Sequence, residues 1–347
     1  MNEMTLPGLA GIDRLMARGA AFLGTRYAIM GGAMSWVSER HLVAALSNAG
    51  AFGVIACGAM EPDRLAQEIA GTQALTQMPF GVNLITMHPR LDQLVDVCLA
   101  AKVGHIVFAG GIPPGSAIKK AKEGGAKVVC FAPALALAKK LVRSGADALV
   151  IEGSEAGGHI GPVSLTVLAQ EILPHIRDVP VFVAGGIGRG EAILSFLEMG
   201  AAGVQLGTRF VCATESIAHP RFKQAFIRGN ARDAMPTVQL DERFPVIPVR
   251  ALQNEGTKRF LEHQATVLAR FIAGEVAKDA AQLEIEHYWA GALRRAVIDG
   301  DVEQGSLMAG QSVGMVGKEQ PAAEIVAELM GQAAAALAAR QAALTGG

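Results

Sequence analysis

Short apolar runs recur along the first 206 residues, and stretches with helical patterning separate them. Most of these runs contain few polar residues, which is typical of strands buried on both faces of a parallel sheet. Their starts lie about 20 to 32 residues apart, which is enough for one strand, one helix and two loops. The eight runs predicted as strands are Tyr27–Met30, Phe52–Cys57, Phe80–Ile85, His105–Ala109, Lys127–Phe131, Ala148–Glu152, Pro180–Ala184 and Gly203–Leu206.

The segments between these strands carry helix start and stop signals. Ser38 and Pro62 stand where helices begin, and Gly50 and Gly200 stand where helices end. Alternating strands and helices imply a parallel sheet with right-handed crossovers. Eight such units favour closure into a (β/α)8 TIM barrel, and an open doubly wound sheet is the alternative.

The barrel pattern ends at Thr208, and a less regular region follows. We expect residues 1–215, together with a final helix in 320–347, to form the barrel domain. We expect residues 216–319 to form a helical and irregular insertion that covers the barrel mouth and shapes the substrate site. The predicted elements are helices at Ser216–Arg228, Thr257–Lys278, Leu283–Asp299 and Ala322–Ala343, irregular chain at Gly229–Val249 and a loop at Gly305–Gly314.

Composition narrows the class of protein. Of the 347 residues, 51% are hydrophobic and 18% are charged, with a net charge of -1. A nucleic-acid interface needs clustered basic residues, and base stacking needs more aromatic residues than the 5% present. No apolar stretch approaches the roughly 20 residues that span a bilayer, and the N-terminus lacks a signal-peptide core. Four separated cysteines predict reduced thiols, and no histidine pair has metal-ligand spacing. These features predict a cytoplasmic protein without nucleic-acid or membrane partners.

Two glycine-rich loops follow the seventh and eighth predicted strands, at the end of a barrel where active sites lie. The first runs from Gly185 and Gly186 to Gly190, and the second begins with Gly207 and Thr208. Glycine lets the backbone approach a ligand closely, and free N–H groups at such turns bind phosphate. The two loops predict a phosphate site, although tight turns alone would also explain the glycines.

The loop after the sixth strand contains the candidate catalytic residue. It begins at Glu152 and places His159 beside Gly157 and Gly158. The glycines would let the chain pass under a flat ligand, and an imidazole exchanges protons near neutral pH. A histidine exposed on the surface without a function is the alternative.

Two other strand ends carry candidate binding residues. Gly32, Ala33 and Met34 follow the first strand, where backbone and a thioether could lie against a ring system. Asn83 lies at the third strand, where its amide could hydrogen-bond the edge of a heterocycle. Each signal alone is equally well explained by a structural role.

Taken together, these strings resemble the nitronate monooxygenase family, once called 2-nitropropane dioxygenases. The resemblance runs over nearly the whole chain, and its most specific string is Glu155-Ala-Gly-Gly-His-Ile-Gly161. The other anchors are Met30-Gly-Gly-Ala-Met34, Ser47-Asn-Ala-Gly-Ala-Phe-Gly53, Phe80-Gly-Val-Asn83, Ala184-Gly-Gly-Ile187 and Gln205-Leu-Gly-Thr-Arg-Phe210.

The resemblance implies a barrel enzyme that contains FMN and oxidises alkyl nitronates with O2 to a carbonyl compound and nitrite. It implies that His159 is the active-site histidine and that the FMN phosphate lies on the last two loops. The implied cofactor-binding residues are Gly32, Ala33, Met34, Asn83, Glu152, Gly157, Gly158, Gly185, Gly186, Gly207, Thr208 and Gln311.

Two other functions stay open at this point. FMN-dependent enoyl-acyl-carrier-protein reductases share the barrel and the FMN loops, so the chain could use NAD(P)H to reduce an enoyl thioester. A non-catalytic flavin-binding protein is the third possibility. The long segment 217–249 departs from simpler family members and leaves the substrate open. The sequence also leaves the oligomeric state open, and a homo-oligomer is one possibility.

Overall fold

The computed structural model describes residues 8–345. The expected barrel domain therefore includes two short stretches, 1–7 and 346–347, that lie outside the described residues. The strands are β1 (Ile29–Gly31), β2 (Gly53–Ala56), β3 (Phe80–Ile85), β4 (His105–Ala109), β5 (Lys127–Phe131), β6 (Ala148–Glu152), β7 (Gly158–His159), β8 (Val181–Ala184), β9 (Gly203–Leu206), β10 (Ala234–Pro236), β11 (Val249–Leu252) and β12 (Leu307–Met308).

The helices surround these strands and continue beyond them. They are α1 (Leu9–Leu23), α2 (Arg40–Asn48), α3 (Pro62–Leu75), α4 (Leu91–Ala100), α5 (Gly115–Glu123), α6 (Leu135–Arg143), α7 (Leu165–Ile172), α8 (Gly190–Glu198), α9 (Thr208–Val211), α10 (Pro220–Arg228), α11 (Glu255–Ile272), α12 (Lys278–Val297) and α13 (Ala322–Thr345). Short 3-10 helices span Ala231–Asp233 and Gln311–Met315.

Eight parallel strands close into the expected barrel. Their order around the barrel is β1-β9-β8-β6-β5-β4-β3-β2. The ring closes between β1 and β2, where Met30 bridges to Phe52 and the Gly31 N–H donates to the Phe52 carbonyl at 2.8 Å. The predicted TIM barrel is therefore confirmed. The pattern was informative because parallel strands in a barrel are buried on both faces and contain few polar residues.

The N-terminal end of the barrel is closed by α1, which the sequence analysis did not predict. The carbonyl of Phe22, in the last turn of this helix, accepts a hydrogen bond from His105 Nε2 at 3.0 Å. His105 opens β4, and burial lowers its pKa to about 4, so its imidazole is neutral at pH 7. Its neighbours are the rings of Phe22 and Phe52. This histidine therefore has a packing role, at the end of the barrel opposite the expected site.

Residues 216–319 form an extension that packs over the barrel mouth. Strands β10, β11 and β12 form a small antiparallel sheet, and β7 of the barrel loop pairs with β11. Part of the extension has its own apolar cluster, which contains Phe244, Val249, Phe260, Val267, Ala281, Ile285 and Trp289. Other parts, such as Phe222 and Leu293, join the barrel core.

Two predictions about the extension were wrong in detail. The helix predicted at Thr257–Lys278 ends at Ile272, and a separate helix begins at Lys278. Gly274, at a φ of 75°, makes the break that the helical pattern did not reveal. The segment predicted as irregular, Gly229–Val249, contains β10 and the start of β11. The sequence did not indicate these strands because the segment contains three prolines, which are uncommon within a sheet.

The final helix, α13, packs along the outside of the barrel against α8, α1 and α2. Gly190 makes this packing close, because a Cβ there would lie 2.1 Å from the Leu329 carbonyl oxygen. The segment Ala322–Leu344 is long and apolar enough, by length and composition, to cross a membrane. The prediction that no segment reaches this length was therefore wrong for this helix, although its inward residues are buried against the barrel.

The four cysteines are free and buried, as predicted. Burial raises the pKa of Cys57, Cys130 and Cys212 to about 12, so these thiols are poor nucleophiles.

Candidate active site

A cavity of about 390 Å³ lies at the carboxyl ends of the barrel strands, under the extension. Every candidate site residue except Gln311 lines it. These residues are Gly32, Ala33, Met34, Asn83, Glu152, Gly157, Gly158, His159, Gly185, Gly186, Gly207 and Thr208. Gln311 does not line the cavity, although its neighbours Gly310 and Ser312 do. Its backbone N–H donates to the Glu155 carbonyl at 2.9 Å, so it fastens the extension to the barrel.

The two glycine loops present backbone rather than side chains. Gly185 and Gly186 have φ angles of 98° and 69°, which other residues rarely adopt. The N–H groups of Gly185, Gly186, Gly207 and Thr208 donate to no acceptor within residues 8–345. An unpaired amide is costly unless water or a ligand accepts its hydrogen bond. These loops are therefore suited to bind an anion.

Two further glycines of the first loop pack against protein instead of lining the cavity. The stretch from Gly185 to Gly190 was expected to bind phosphate as a whole, but Gly188 and Gly190 face away from the cavity. A Cβ on Gly188 would meet the Met315 side chain at 2.7 Å. The Gly190 N–H donates to Gln332 Oε1 at 2.9 Å, on α13. These two glycines permit close packing and leave only the first part of the loop at the cavity.

No lysine or arginine lines the cavity within the described part of the chain. An anion bound there would rely on backbone amides, without a cationic partner. The three ionisable side chains that line the cavity are His159, Glu152 and Glu286. Charge in the cavity is therefore set by one imidazole and two carboxyl groups.

The loop after β1 lies against the loop after β9. The Gly32 N–H donates to the Leu206 carbonyl at 2.8 Å, and a Cβ on Gly32 would lie 3.3 Å from Gly207 Cα. Ser38 fixes this loop, since its hydroxyl donates to the Gly32 carbonyl at 2.8 Å and accepts from the Met34 N–H at 3.0 Å. This contact leaves a flat wall of backbone at the cavity.

Two amide side chains, from strands β3 and β9, line the cavity wall. Asn83 is buried and donates through Nδ2 to the Val107 carbonyl at 3.2 Å. Gln205 on β9 is also buried and lines the cavity, although the sequence analysis did not select it as a site residue. A polar side chain in an otherwise apolar strand is the signal that could have identified it.

His159 is held by the extension. It lies in β7, whose backbone pairs with β11 in the register His159 to Val249. Its Nε2 lies 3.0 Å from Oε2 of Glu286, which projects from α12. The side chains of His159 and Glu286 are 41% and 30% exposed, so the pair is accessible from the cavity. Sequence reasoning missed Glu286, because nothing distinguishes it from the other charged residues of its helix.

Arg250 fastens the strand-six loop from the other side. Its Nε donates to the Ser154 carbonyl at 2.9 Å, and its Nη1 donates to the Ala234 carbonyl. Burial lowers the pKa of this guanidinium, and the two carbonyl contacts compensate for part of the lost hydration. A further hydrogen bond joins the extension to the loop after β9, since the Gly310 N–H donates to Thr208 Oγ1 at 2.9 Å. The extension therefore positions several parts of the site.

Glu152 ends β6 and faces the cavity. Protein surrounds it except where the cavity meets its carboxyl group, and the group is half-buried as a result. Burial raises its pKa to about 8. This carboxyl group is therefore largely protonated at neutral pH and can donate a hydrogen bond.

This arrangement combines backbone that accommodates a flat anionic group with an imidazole–carboxylate pair that can move a proton. Together with the relatives described next, it defines the protein as a barrel oxidoreductase of the flavin-dependent class. The chain belongs to the nitronate monooxygenase family, whose model matches residues 17–94 and 85–332.

Its relatives differ in the reaction that their names describe. A curated relative from Rhodococcus jostii, (3aS,4S,5R,7aS)-5-hydroxy-7a-methyl-1-oxo-octahydro-1H-indene-4-carboxyl-CoA dehydrogenase, is 30% identical over 85% of this chain and 89% of its own length. The solved structure of FabK from Thermotoga maritima is 34% identical, covers 94% of this chain and 98% of that chain, and has a TM-score of 0.84. Nitroalkane oxidase from Streptomyces ansochromogenes is 27% identical, with a TM-score of 0.76, over 94% of this chain and 100% of that chain.

Proposed function

We propose that this protein is an FMN-dependent enzyme that oxidises alkyl nitronates and nitroalkanes with O2 to a carbonyl compound and nitrite. The observation that carries the proposal is the His159–Glu286 pair at 3.0 Å on the wall of the cavity. A nitroalkane must lose its α-proton to become a nitronate, and an oriented imidazole is a base suited to that step. Family membership and the similarity to a nitroalkane oxidase support the same reaction.

The residues present fit a flavin mononucleotide. The unpaired N–H groups of Gly185, Gly186, Gly207 and Thr208 would hold its phosphate. The backbone of Gly32–Met34 and the amide of Asn83 would contact the ring system, with Glu152, Gly157 and Gly158 also at the cofactor. When bound, the flavin accepts electrons from the substrate.

His159 would act as the base towards neutral nitroalkanes. If its Nε2–H donates to Glu286, its Nδ1 carries the lone pair that takes the α-proton. The Glu286 carboxylate would then stabilise the imidazolium that forms, as the aspartate carboxylate does in enzymes with a Ser-His-Asp triad. In the overall reaction two nitronates and one O2 give two carbonyl compounds and two nitrite ions, so that each oxygen atom of O2 ends in one carbonyl group.

His159→Ala tests the proposal with two forms of one substrate. We expect kcat/KM for neutral nitroethane to fall at least ~100-fold, because general base catalysis contributes that much or more. We expect preformed ethylnitronate, which has already lost the proton, to be oxidised within a few-fold of the wild-type rate. Bound flavin, measured by absorbance, should be unchanged. Equal activity of the variant on neutral nitroethane would refute the role of His159.

A second candidate function is reduction of an enoyl thioester with NAD(P)H. The similarity to FabK at 34% identity, and to a relative named as a carboxyl-CoA dehydrogenase, favours it. Mixing the flavin-loaded protein with NADH or NADPH without oxygen separates the two reactions. Rapid loss of flavin absorbance would favour the reductase, and loss with a nitronate alone would favour the oxidation. A protein that is colourless and takes up no FMN would instead be a non-catalytic relative.

We further propose a cytoplasmic location and a small-molecule substrate, with no nucleic-acid or membrane partner. The near-zero net charge supports the absence of a nucleic-acid partner. The division into a barrel domain, 1–215 with 320–347, and an insertion, 216–319, is also a proposal. It is supported by the separate apolar cluster of the extension. A homo-oligomer is a possibility that size-exclusion chromatography with light scattering tests.

A further inference from the structure

A second cavity, of about 320 Å³, lies beside the candidate active site. Two residues, Phe131 and Glu152, line both cavities, so the two spaces adjoin at these side chains. The second cavity, which we call the side chamber, lies between the loops after β4, β5 and β6 and the helices α6 and α7. Its lining residues are Gly111, Ile112, Phe131, Ala132, Pro133, Leu137, Glu152, Gly161, Pro162, Val163 and Leu168.

The side chamber is almost entirely apolar. Apart from Glu152, its described lining consists of aliphatic side chains, one phenylalanine, prolines and glycines. Such a surface gains free energy by removing apolar groups from water and offers no partner for a charged one. Ile112, which is 55% exposed, stands at its rim, so the chamber is also open to solvent. The occupant that fits is therefore a hydrocarbon group.

Glu152 stands where the two cavities adjoin. Burial raises its pKa to about 8, so the carboxyl group is mostly neutral at pH 7. A neutral carboxyl group can lie against a hydrocarbon chain without the large cost of stripping water from a charge. An alkyl chain that extends from the active-site cavity past Glu152 and Phe131 would therefore enter an apolar space.

We propose that the side chamber binds an unbranched alkyl chain of the substrate whose reacting group occupies the active-site cavity. This inference rests on the proposed function and deepens it, since it assigns the substrate to long-chain rather than short-chain compounds. The two side chains shared by the adjoining cavities and the apolar lining of the second cavity carry it. For the nitronate reaction, the preferred substrate is a long-chain 1-alkylnitronate.

The first experiment is a chain-length series on the flavin-loaded wild-type protein. We expect kcat/KM for 1-alkylnitronates from two to ten carbons to rise ~4-fold per methylene once the chain reaches the side chamber, and then to level off. The factor corresponds to about 0.8 kcal/mol for each buried methylene. A flat series would overturn the proposal.

Two variants fill the side chamber from different elements. Val163→Trp enlarges a half-buried side chain in the loop before α7, and Leu137→Trp enlarges one on α6. Each should abolish the gain for long chains and leave ethylnitronate oxidation unchanged. The matched control is Val167→Trp, which alters a side chain on α7 that is 50% exposed and lines neither cavity. If both chamber variants retain the wild-type chain-length dependence, the proposal fails.

A binding measurement separates this inference from the proposed function. Primary n-alkanamides carry no redox chemistry, and calorimetry gives their Kd on wild type and on Val163→Trp. Tighter binding with length that Val163→Trp removes would support the side chamber, even if no nitronate is turned over and the proposed function fails. If the protein oxidises nitronates but its Kd for n-alkanamides does not depend on chain length, the proposed role of the side chamber is wrong and the proposed function still holds.

Discussion

The two sides of the active-site cavity are built on different principles. The barrel side, made of the lining residues outside 216–319, presents mainly backbone, as at Gly185, Gly186 and Gly207. The extension side, made of the lining residues within 216–319, presents side chains, among them Glu286, Ile247, Leu293 and Met308. Backbone amides suit a group whose shape is fixed, such as a phosphate. Side chains such as those of the extension side can orient a group that moves a proton and can discriminate between substrates.

This division gives one way in which relatives with one fold could catalyse the different reactions that their names describe. A barrel side of glycine loops can hold the cofactor whatever the substrate is. The extension side orients His159 through the β7–β11 pairing and Glu286, and under the proposed function it would contact the substrate. Differences in the extension would therefore change the reaction without changing the cofactor.

The largest effect is expected from Gly185→Ala on the barrel side. Gly185 has a φ of 98°, and a Cβ there would lie 2.9 Å from the Gly153 carbonyl oxygen, so the loop must shift. We expect FMN affinity, measured by flavin fluorescence titration, to fall at least ~100-fold, because the amides of this loop would lose their common direction.

Gly200→Ala is the matched control for Gly185→Ala. Gly200 has a φ of 103°, but nothing lies within 4 Å of its Cβ position and it does not line the cavity. Both variants carry the left-handed strain of ~1–2 kcal/mol. FMN affinity should therefore be retained in Gly200→Ala, and equal loss in the two variants would show that strain rather than site geometry is responsible.

The next effect is expected from Glu286→Gln on the extension side. Partners that orient a functional imidazole are worth ~10–100-fold, so kcat/KM for neutral nitroethane should fall by that factor. Oxidation of preformed ethylnitronate and FMN affinity should stay within a few-fold of wild type. The ¹⁵N spectrum of His159 should change from a single Nε2–H tautomer to a mixture, because the amide no longer requires a donor at Nε2.

The control for this variant is Glu284→Gln, two residues away on the same helix. Glu284 pairs with Arg270 at 3.0 Å and does not line the cavity. The Glu284→Gln variant should leave the rates of nitroethane and ethylnitronate oxidation and the ¹⁵N spectrum of His159 unchanged. Loss of nitroethane and ethylnitronate activity to the same extent in Glu286→Gln would argue against a positioning role in proton transfer.

The sequence predicted the barrel side far better than the extension side, for a physical reason. Buried parallel strands and glycine turns follow local rules, so β3 through β6 have the predicted bounds and Gly185 lies at the cavity. Glu286 reaches His159 only through the packing of a helix more than a hundred residues away. Gly188 failed for the complementary reason, since a glycine pattern does not reveal whether ligand or protein occupies the space.

A smaller effect is expected from Arg250→Lys, which loosens the attachment between the two sides. Arg250 spans two carbonyls, those of Ser154 and Ala234, and an ammonium group cannot reproduce that geometry. We expect a loss of ~1.5–2 kcal/mol in the free energy of unfolding, measured in urea. Arg243→Lys is the control, because Arg243 is exposed and pairs with Asp241 at the surface, where water and salt screen the interaction. Equal losses would show that the Ser154 contact is not important.

The smallest effect concerns Glu152, the carboxyl group on the barrel side. Its pKa rises from 4.5 to about 8 on folding, so the folded state binds more protons between those pH values. The free energy of unfolding should therefore fall as pH rises through 4.5 to 8 and level off above 8. In the flavin-free protein, Glu152→Gln should be more stable than wild type by ~1 kcal/mol at pH 8.5 and equal to it near pH 5, since water in the cavity screens part of the cost. Urea midpoints at these two pH values measure the difference. A difference that does not depend on pH would mean that Glu152 is ionised in the folded protein, and the barrel side would then present a charge to the substrate chain.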